Sequence, residues 1–256
     1  MVKFKEILRI ERNRRMKEKL YTIPVTDAFQ QDCECAICAM YDSLEKNAID
    51  FTMGPSYMED DIRELTNASG FCSRHIPMLY TNQNRLGLAL MLSTHMKKTR
   101  EDISSLSHSS TPGKRGLLKY KKKPKETPLT AYIKQVANRC FICDRIEQVF
   151  HRYLVTVVYL YRTEPDFRDT LLKSKGVCMS HLGDLLEVAS TELSSELYAK
   201  FQEELVALYT ENMKRVEEEL LWFIDKFDYR FKDEPWKNSK DALPRSILKT
   251  NHTFVE

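Results

Sequence analysis

Apolar residues recur at steps of three and four through most of this chain, which is the spacing of one face of an α-helix. Neither proline nor glycine interrupts residues 38–51 or 143–160, and residues 84–107 continue the same pattern. The longest apolar stripe, over residues 192–229, would extend about 55 Å at the rise of an α-helix. Because no segment alternates apolar and polar residues with a period of two, the pattern predicts an all-α fold with a long C-terminal helix.

The helical pattern contains an internal repeat. Residues 59–63 read EDDIR, and residues 164–168 read EPDFR at an offset of 105 positions (164 − 59). Gly70 and Gly176 follow at similar places, and each is predicted to end the third helix of its copy in a left-handed C-cap. A duplication explains these matches, so the chain is predicted to consist of two pseudo-equivalent helical repeats.

Six of the seven cysteines and two of the six histidines fall into two similar sets. In each set a CxxC is followed by a CxxH, after 33 residues (39–71) in the first and 34 residues (144–177) in the second. Three thiolates and an imidazole match the ligand number and softness of a closed zinc site. The sequence therefore predicts two structural zinc ions per chain, one pinning each repeat, with a catalytic or sensing metal and an iron–sulfur cluster as alternatives. The predicted ligands are Cys35, Cys38, Cys72 and His75 in the first repeat, and Cys140, Cys143, Cys178 and His181 in the second.

Several residues near these sets have more than one interpretation. Cys33 precedes Cys35 by two positions and is either a free thiol or a redox-responsive substitute for it. Asp42 and Glu147, one turn beyond each CxxC, either orient the ligand histidines or form ion pairs between helices. The remaining histidines match no metal pattern and are expected on the surface or in the core; they are His95, His108, His151 and His252.

Composition narrows the class of protein. A hydrophobic content of 42% and a charged content of 30% indicate an ordinary globular protein, and no apolar run approaches the length of a membrane span. The odd number of cysteines and the lack of a secretory signal favour a reducing cytoplasm over disulfides. The net charge is only +3, but basic residues concentrate in segments 3–19 and 114–125. Nucleic-acid binding through these two segments is therefore a weaker alternative.

These motifs resemble those of a family of uncharacterised bacterial cytosolic proteins that is known only as a domain of unknown function. The resemblance covers roughly residues 20–245. It rests on the two CxxC and two CxxH motifs, on the GLAL of residues 87–90, and on the YRFKDEP of residues 229–235. It implies metal sites and a bacterial origin, and it implies no reaction.

The predicted organisation has five parts: a basic segment (1–20), a first metal-binding repeat (21–107), a flexible basic linker (108–126), a second repeat (127–232) and an irregular tail (233–256). No nucleophile–base pair or nucleotide-binding loop is recognisable, so a non-catalytic protein-interaction or scaffold module with an unknown protein partner is favoured. The alternative is a metal-dependent enzyme or a redox or metal sensor, with a pocket between the repeats.

Overall fold

The computed structural model describes residues 21–81, 84–109 and 126–255, and these residues form helices and connecting loops without a single strand. The all-α prediction is confirmed. Eleven α-helices, numbered here α1 to α11, lie in the described ranges, with two short 3-10 helices at Pro55–Met58 and Tyr229–Phe231. The helices are α1 Thr22–Gln30, α2 Ala36–Met53, α3 Asp60–Ser69, α4 His75–Thr81, α5 Arg85–Ser109, α6 Pro128–Ala137, α7 Phe141–Thr163, α8 Pro165–Lys173, α9 Met179–Glu192, α10 Ser195–Asp225 and α11 Ala242–Asn251.

The chain divides into two compact units whose limits differ from those of the predicted repeats. Of the described residues, the first unit contains those up to Ser43 and from Val149 onwards, and the second contains those within Leu44–Gln148. Both boundaries fall inside helices, because α2 contains the first boundary and α7 contains the second. Each unit is therefore built from segments of both predicted repeats, and whether those repeats reflect a true duplication stays a prediction.

The first unit packs around α10, which contacts α8, α9 and α11. Phe201, Leu205 and Val216 lie on the buried face of α10 at helical spacing. The ring of Phe201 meets that of Tyr161 edge to face with 4.7 Å between centroids, and such pairs add to the free energy of burial. The stripe of residues 192–229 thus forms a helix as predicted, but α10 covers only Ser195–Asp225 and is about 46 Å long.

The second unit packs α5 against α3, α4 and α6. Leu79 on α4 and Met91 on α5 are fully buried, and Ile62 on α3 is nearly so. Helix α6 begins with a capping box, in which the hydroxyl of Thr127 accepts from the backbone of Thr130 and the hydroxyl of Thr130 accepts from the backbone of Thr127. This unit is therefore stabilised by an apolar core and by local capping.

The prediction of an irregular tail over residues 233–256 is wrong, because α11 lies within it. Ala242 and Leu248 are buried six residues apart, and Pro244 falls in the first turn, where a helix tolerates proline because the amide there needs no intrahelical partner. The basic segments 3–19 and 114–125 lie outside the described residues, as does most of the predicted linker. Residues 108 and 109, assigned to that linker, belong to α5.

Among the described residues, no helix has both the length and the apolar character that crossing a lipid bilayer requires.

Gly70 shows why the backbone ahead of one CxxH requires glycine. It ends α3 with φ +61° and ψ −153°, a combination that is essentially reserved for glycine. A Cβ at this position would lie 2.7 Å from Nε2 of His95, and that ring is held because its Nδ1 donates to the carbonyl of Asn67 (2.8 Å). Gly176 also has a positive φ, +75°, but α8 ends earlier, with Ser174 as its C-cap. A glycine C-cap is thus found at Gly70 and not at Gly176, and its ψ of −153° differs from that of the predicted left-handed cap.

We expect Gly70→Ala to lower the free energy of unfolding by about 2 kcal/mol or more, because the new methyl group meets both an unfavourable φ and the His95 ring. Gly183→Ala is the matched control. Gly183 lies inside α9 with no atom within 4 Å of an added Cβ, so this change should stabilise by about 0.5–1 kcal/mol. Urea unfolding followed by circular dichroism measures both, and equal stability of Gly70→Ala and wild type would contradict the strain assigned to Gly70.

Candidate metal centres

The first group of metal-type side chains, called cluster 1 here, lies in the first unit and consists of Cys35, Cys38, Cys178 and His181. Cys35 immediately precedes α2 and Cys38 lies in its first turn, where the backbone amide of Cys38 points at the Cys35 sulfur (3.4 Å). Cys178 is the N-cap of α9, and His181 follows within the first turn. All four side chains are buried. Two helix N-termini therefore present their ligand-type atoms to one point.

The second group, cluster 2, lies in the second unit and consists of Cys72, His75, Cys140 and Cys143. Cys140 immediately precedes α7, and His75 is the first residue of α4. The amide of Phe141 donates to the carbonyl of Gly70 (3.0 Å), which joins the loop before Cys72 to the CxxC of α7. Cys72 and Cys143 are half-buried, whereas His75 and Cys140 are buried. Cluster 2 therefore has the same composition as cluster 1 and is more accessible.

The structure corrects the predicted pairing of the two motifs. The prediction that each CxxC shares a site with the next CxxH along the chain is wrong, because each CxxC meets the more distant CxxH. Helix lengths give the reason. Helix α2, which begins two residues before Cys38, is about 27 Å long, whereas α3, which precedes the next CxxH, is about 15 Å long. Helix α7, which begins two residues before Cys143, is about 34 Å long, whereas α8 is about 14 Å long. The second helix of each pair is therefore too short to return the chain to its own CxxC.

The distances within each cluster match the edges of a coordination tetrahedron. With zinc–sulfur and zinc–nitrogen bonds of ordinary length, those edges are about 3.8 Å between sulfurs and about 3.5 Å between sulfur and nitrogen. In cluster 1, Nδ1 of His181 lies 3.3–3.4 Å from the three sulfurs, and the sulfurs of Cys38 and Cys178 are 3.7 Å apart. In cluster 2, Nδ1 of His75 lies 3.3–3.4 Å from the three sulfurs, and those of Cys72 and Cys143 are 3.9 Å apart. Both clusters therefore have the size of a site that could hold one metal ion.

The pKa shifts of the cysteines indicate what each cluster requires if all its thiols are to ionise. Thiol hydrogen bonds from Cys35 and Cys38 hold the pKa of Cys178 well below its usual range, and the hydrogen bond to Cys178 raises the pKa of Cys38. Burial raises the pKa of Cys35 to about 12. In cluster 2, burial likewise raises the pKa of Cys143 to about 12. A protein interior thus accommodates one thiolate in such a group, and three thiolates require a positive ion at their centre.

The family model of DUF6062, a family of unknown function, matches residues 16–256. The chain belongs to this family. The resemblance inferred from the duplicated CxxC and CxxH motifs is thereby confirmed. No similar chain was found among curated proteins, and none among solved structures.

A carboxylate contacts cluster 2 of this DUF6062 protein, and the sequence pattern did not predict it. Nε2 of His75 lies 2.9 Å from Oε1 of the buried Glu45, so the ring donates to that carboxylate and leaves Nδ1 directed at the three sulfurs. Arg74 pairs with the same oxygen at 2.9 Å. The predicted candidates Asp42 and Glu147 are both exposed. A signal was present, since Glu45 is a charged residue inside the apolar stripe of α2.

The equivalent contact in cluster 1 is apolar. His181 packs against the ring of Phe150 with 5.5 Å between centroids. Phe150 stands seven residues after Cys143, as Glu45 stands seven residues after Cys38. The histidine of each cluster therefore contacts the helix that begins at the other CxxC, through a carboxylate in cluster 2 and through an aromatic ring in cluster 1.

Cys33 and the histidines outside the two motifs lie in different surroundings in the DUF6062 structure. Cys33 is half-exposed and belongs to neither cluster, and burial raises the pKa of its thiol. His95 is held by the backbone of Asn67, and His151 is exposed. His252, which matched no metal pattern in the sequence, lies beside cluster 1, with its Nδ1 3.2 Å from the Cys38 sulfur. Only the structure reveals this contact, because 214 positions separate the two residues.

We expect Glu45→Gln to weaken metal binding at cluster 2 by about tenfold or more. Without the carboxylate charge on its Nε2 side, the His75 ring is less basic, and its Nδ1 is a weaker metal ligand. Cluster 1 should be unaffected. Competition with a chromophoric chelator would resolve the two affinities, and Glu147→Gln, on the exposed face of α7, is the matched control. Equal affinities in Glu45→Gln and wild type would show that Glu45 does not support the ligand.

Proposed function

We propose that this protein binds two zinc ions, one in each cluster, and that both ions are structural. The observation that carries the proposal is the match between the sulfur–nitrogen and sulfur–sulfur distances of both clusters and the edges of a zinc tetrahedron. In cluster 1 the ligands would be the three sulfurs of Cys35, Cys38 and Cys178 and Nδ1 of His181. In cluster 2 they would be the sulfurs of Cys72, Cys140 and Cys143 and Nδ1 of His75.

The donor set supports zinc over other metals. Three thiolates and one imidazole suit a borderline-soft cation with no preference for a planar or octahedral geometry. Iron–sulfur clusters use four cysteines in most proteins, so the histidine in each group argues against them. Hard cations such as Mg²⁺ and Ca²⁺ require oxygen ligands, and none of the eight proposed ligand atoms is an oxygen.

Each ion would join two helix N-termini that are remote in sequence. Cluster 1 connects the start of α2 with the start of α9, and cluster 2 connects the segment before α4 with the start of α7. The partial positive charge of helix N-termini favours thiolates at these positions. Structural zinc contributes on the order of 10 kcal/mol to the folding of small zinc domains, so loss of either ion should weaken its unit strongly.

We further propose that the helical body serves as a protein-interaction scaffold in the cytoplasm. The end of α10 and the turn after it expose large apolar side chains, which support such a surface: Leu221 (55% exposed), Ile224 (56%), Phe227 (76%) and Tyr229 (86%). All seven cysteines are free of disulfides, which supports a reducing compartment.

A metal or redox sensor is the alternative, and the half-burial of Cys72 and Cys143 is the observation that favours it. A sensing site must exchange its ion or react with an oxidant, and accessible sulfurs permit both. This alternative places the exchangeable ion in cluster 2 and leaves cluster 1 structural.

Double substitutions test both the metal and the pairing of the ligands. Cys38→Ser with Cys178→Ser changes a single cluster, so we expect one zinc ion per chain to remain. Cys38→Ser with Cys72→Ser changes both clusters, so we expect both ions to be weakened or lost. Native mass spectrometry gives the stoichiometry, and wild type should carry two ions. The opposite result for the two variants would restore the pairing of neighbouring motifs, and a wild-type chain without zinc would overturn the proposal.

Replacement of zinc by cobalt distinguishes a structural role of the two sites from a sensing role. A closed site with three sulfurs keeps its absorption spectrum when azide is added, whereas an open site responds. Cysteine alkylation followed by mass spectrometry then identifies the cluster that responded. A response from Cys72, Cys140 and Cys143 alone would favour the sensor.

Phe227→Asp tests the scaffold role. We expect a protein that co-purifies with the tagged full-length chain to be lost on this change, because the substitution places a charge in the apolar surface. Both zinc ions should remain bound. Met58→Asp is the control, since Met58 is also exposed (67%) and lies in the second unit. Equal recovery of partners by Phe227→Asp and Met58→Asp would contradict an interaction at the end of α10.

A further inference from the structure

The end of α11 lies against cluster 1. His252, the C-cap of this helix, places its Nδ1 3.2 Å from the sulfur of Cys38 and 3.7 Å from that of Cys178. Its ring meets the ring of His181 edge to face, with 4.3 Å between centroids. A second imidazole therefore lies directly beside the four proposed ligands, over the edge between two sulfurs.

The direction of this contact follows from the chemistry of a metal-bound thiolate. A thiolate on zinc has no proton to donate, so the short contact requires Nδ1–H of His252 to donate to the sulfur of Cys38. The backbone is compatible with this placement, because His252 has φ 54° and ψ 39°, a left-handed conformation that ends α11 and in which histidine is enriched. The position therefore suits a histidine C-cap whose ring lies beside the cluster.

Lys249, one turn earlier on α11, connects the two chain segments that carry the cysteines. Its side chain is fully buried, and its ammonium group donates to the carbonyl of Glu34 (2.6 Å) and to that of Lys175 (2.5 Å). Glu34 immediately precedes Cys35, and Lys175 precedes Cys178 by three positions. The buried ammonium group of Lys249 thus links the segment before Cys35 to the segment before Cys178 without being a metal ligand.

The net charge of a metal centre in cluster 1 gives the contacts of His252 and Lys249 a common role. A zinc ion with three thiolates and a neutral imidazole has a net charge of −1 (+2 − 3), and all four ligand residues of cluster 1 are buried. Burial of an uncompensated charge is costly, so a nearby cation or an N–H donor stabilises such a centre. His252 supplies the N–H donor. Lys249 supplies a buried ammonium group, which also lies 3.5 Å from the carboxylate of Glu34. That carboxylate pairs with Arg215 and Arg245 as well. Both His252 and Lys249 belong to α11.

We propose that His252 and Lys249 complete cluster 1 as positioning residues outside the ligand set, and that the metal in cluster 1 thereby controls the docking of α11. This inference rests on the proposed zinc binding. An occupied cluster 1 holds the helix through the Nδ1–H···S contact. Loss of the metal removes the ion that holds the sulfurs of Cys38 and Cys178 beside the His252 ring, and so releases the end of α11.

The test uses His252→Asn in the full-length chain, because asparagine tolerates the left-handed backbone and removes the imidazole. His151→Asn, at an exposed position of α7, is the matched control. The zinc-loaded proteins are mixed with excess chelator, and alkylation of individual cysteines is followed by mass spectrometry. We expect Cys35, Cys38 and Cys178 to be labelled about tenfold faster in His252→Asn than in wild type. Labelling of the cluster 2 cysteines should be unchanged.

Hydrogen exchange over residues 242–255 provides the second readout. Zinc should protect α11 in wild type and in His151→Asn, and this protection should fall in His252→Asn although the chain still binds two ions. Unchanged labelling and unchanged protection in His252→Asn would overturn the inference and leave the zinc proposal intact. A fall to one zinc ion per chain would also overturn it, since His252 would then be a ligand and not an outer donor. A wild-type chain that binds no zinc would instead overturn the proposed function.

Discussion

The packing of three sulfurs and one imidazole nitrogen into a sphere of coordination size is the constraint on which this structure depends. Cysteine thiols gain little from contact with one another, and three thiolates repel. A group in which every sulfur lies 3.3–3.4 Å from one nitrogen has the dimensions of a site built around a shared cation. Each cluster occurs where two helices begin, so an ion that neutralised the sulfurs would also fix the starting points of those helices. The apolar contacts around α10 and α5 form the rest of each unit.

Helix length decides which motifs can share an ion. The CxxC and CxxH motifs that are neighbours in sequence are separated by a long helix and a much shorter one, α2 with α3 and α7 with α8. An α-helix is rigid over these lengths, and the shorter helix does not compensate for the longer one. Each CxxC consequently meets the CxxH of the other repeat. The crossed connection also explains why the unit boundaries fall inside α2 and α7, since the first turn of each helix belongs with its cluster and its far end packs elsewhere.

The helical class, the residues of both clusters and the approximate extent of α2, α5, α7 and α10 could be predicted from the sequence, because periodicity and ligand spacing are local properties. The pairing of the clusters was in principle predictable as well, since the lengths of 18 and 10 residues for α2 and α3 can be approximated from the pattern. The helix over Ala242–Asn251 was missed because its proline and its short apolar face resemble a loop. His252 could not be assigned, because its contact with Cys38 joins residues 214 positions apart. Glu45 carries a signal as a charged residue in an apolar stripe, but its partner His75, 30 positions away, does not follow from that signal.

The two clusters share a ligand set and differ in everything around it. Cluster 1 is enclosed, and its neighbours are a buried ammonium, an imidazole and the Phe150 ring. Cluster 2 has a buried carboxylate against its histidine, which adds negative charge to a centre that would already be negative. Such a centre would be stabilised by the pairing of Arg74 with Glu45 and by the access of water to Cys72 and Cys143. A zinc ion in cluster 1 would have its charge compensated within the protein, whereas one in cluster 2 would depend partly on solvent. The same four ligands would thus serve a structural ion in two different electrostatic surroundings.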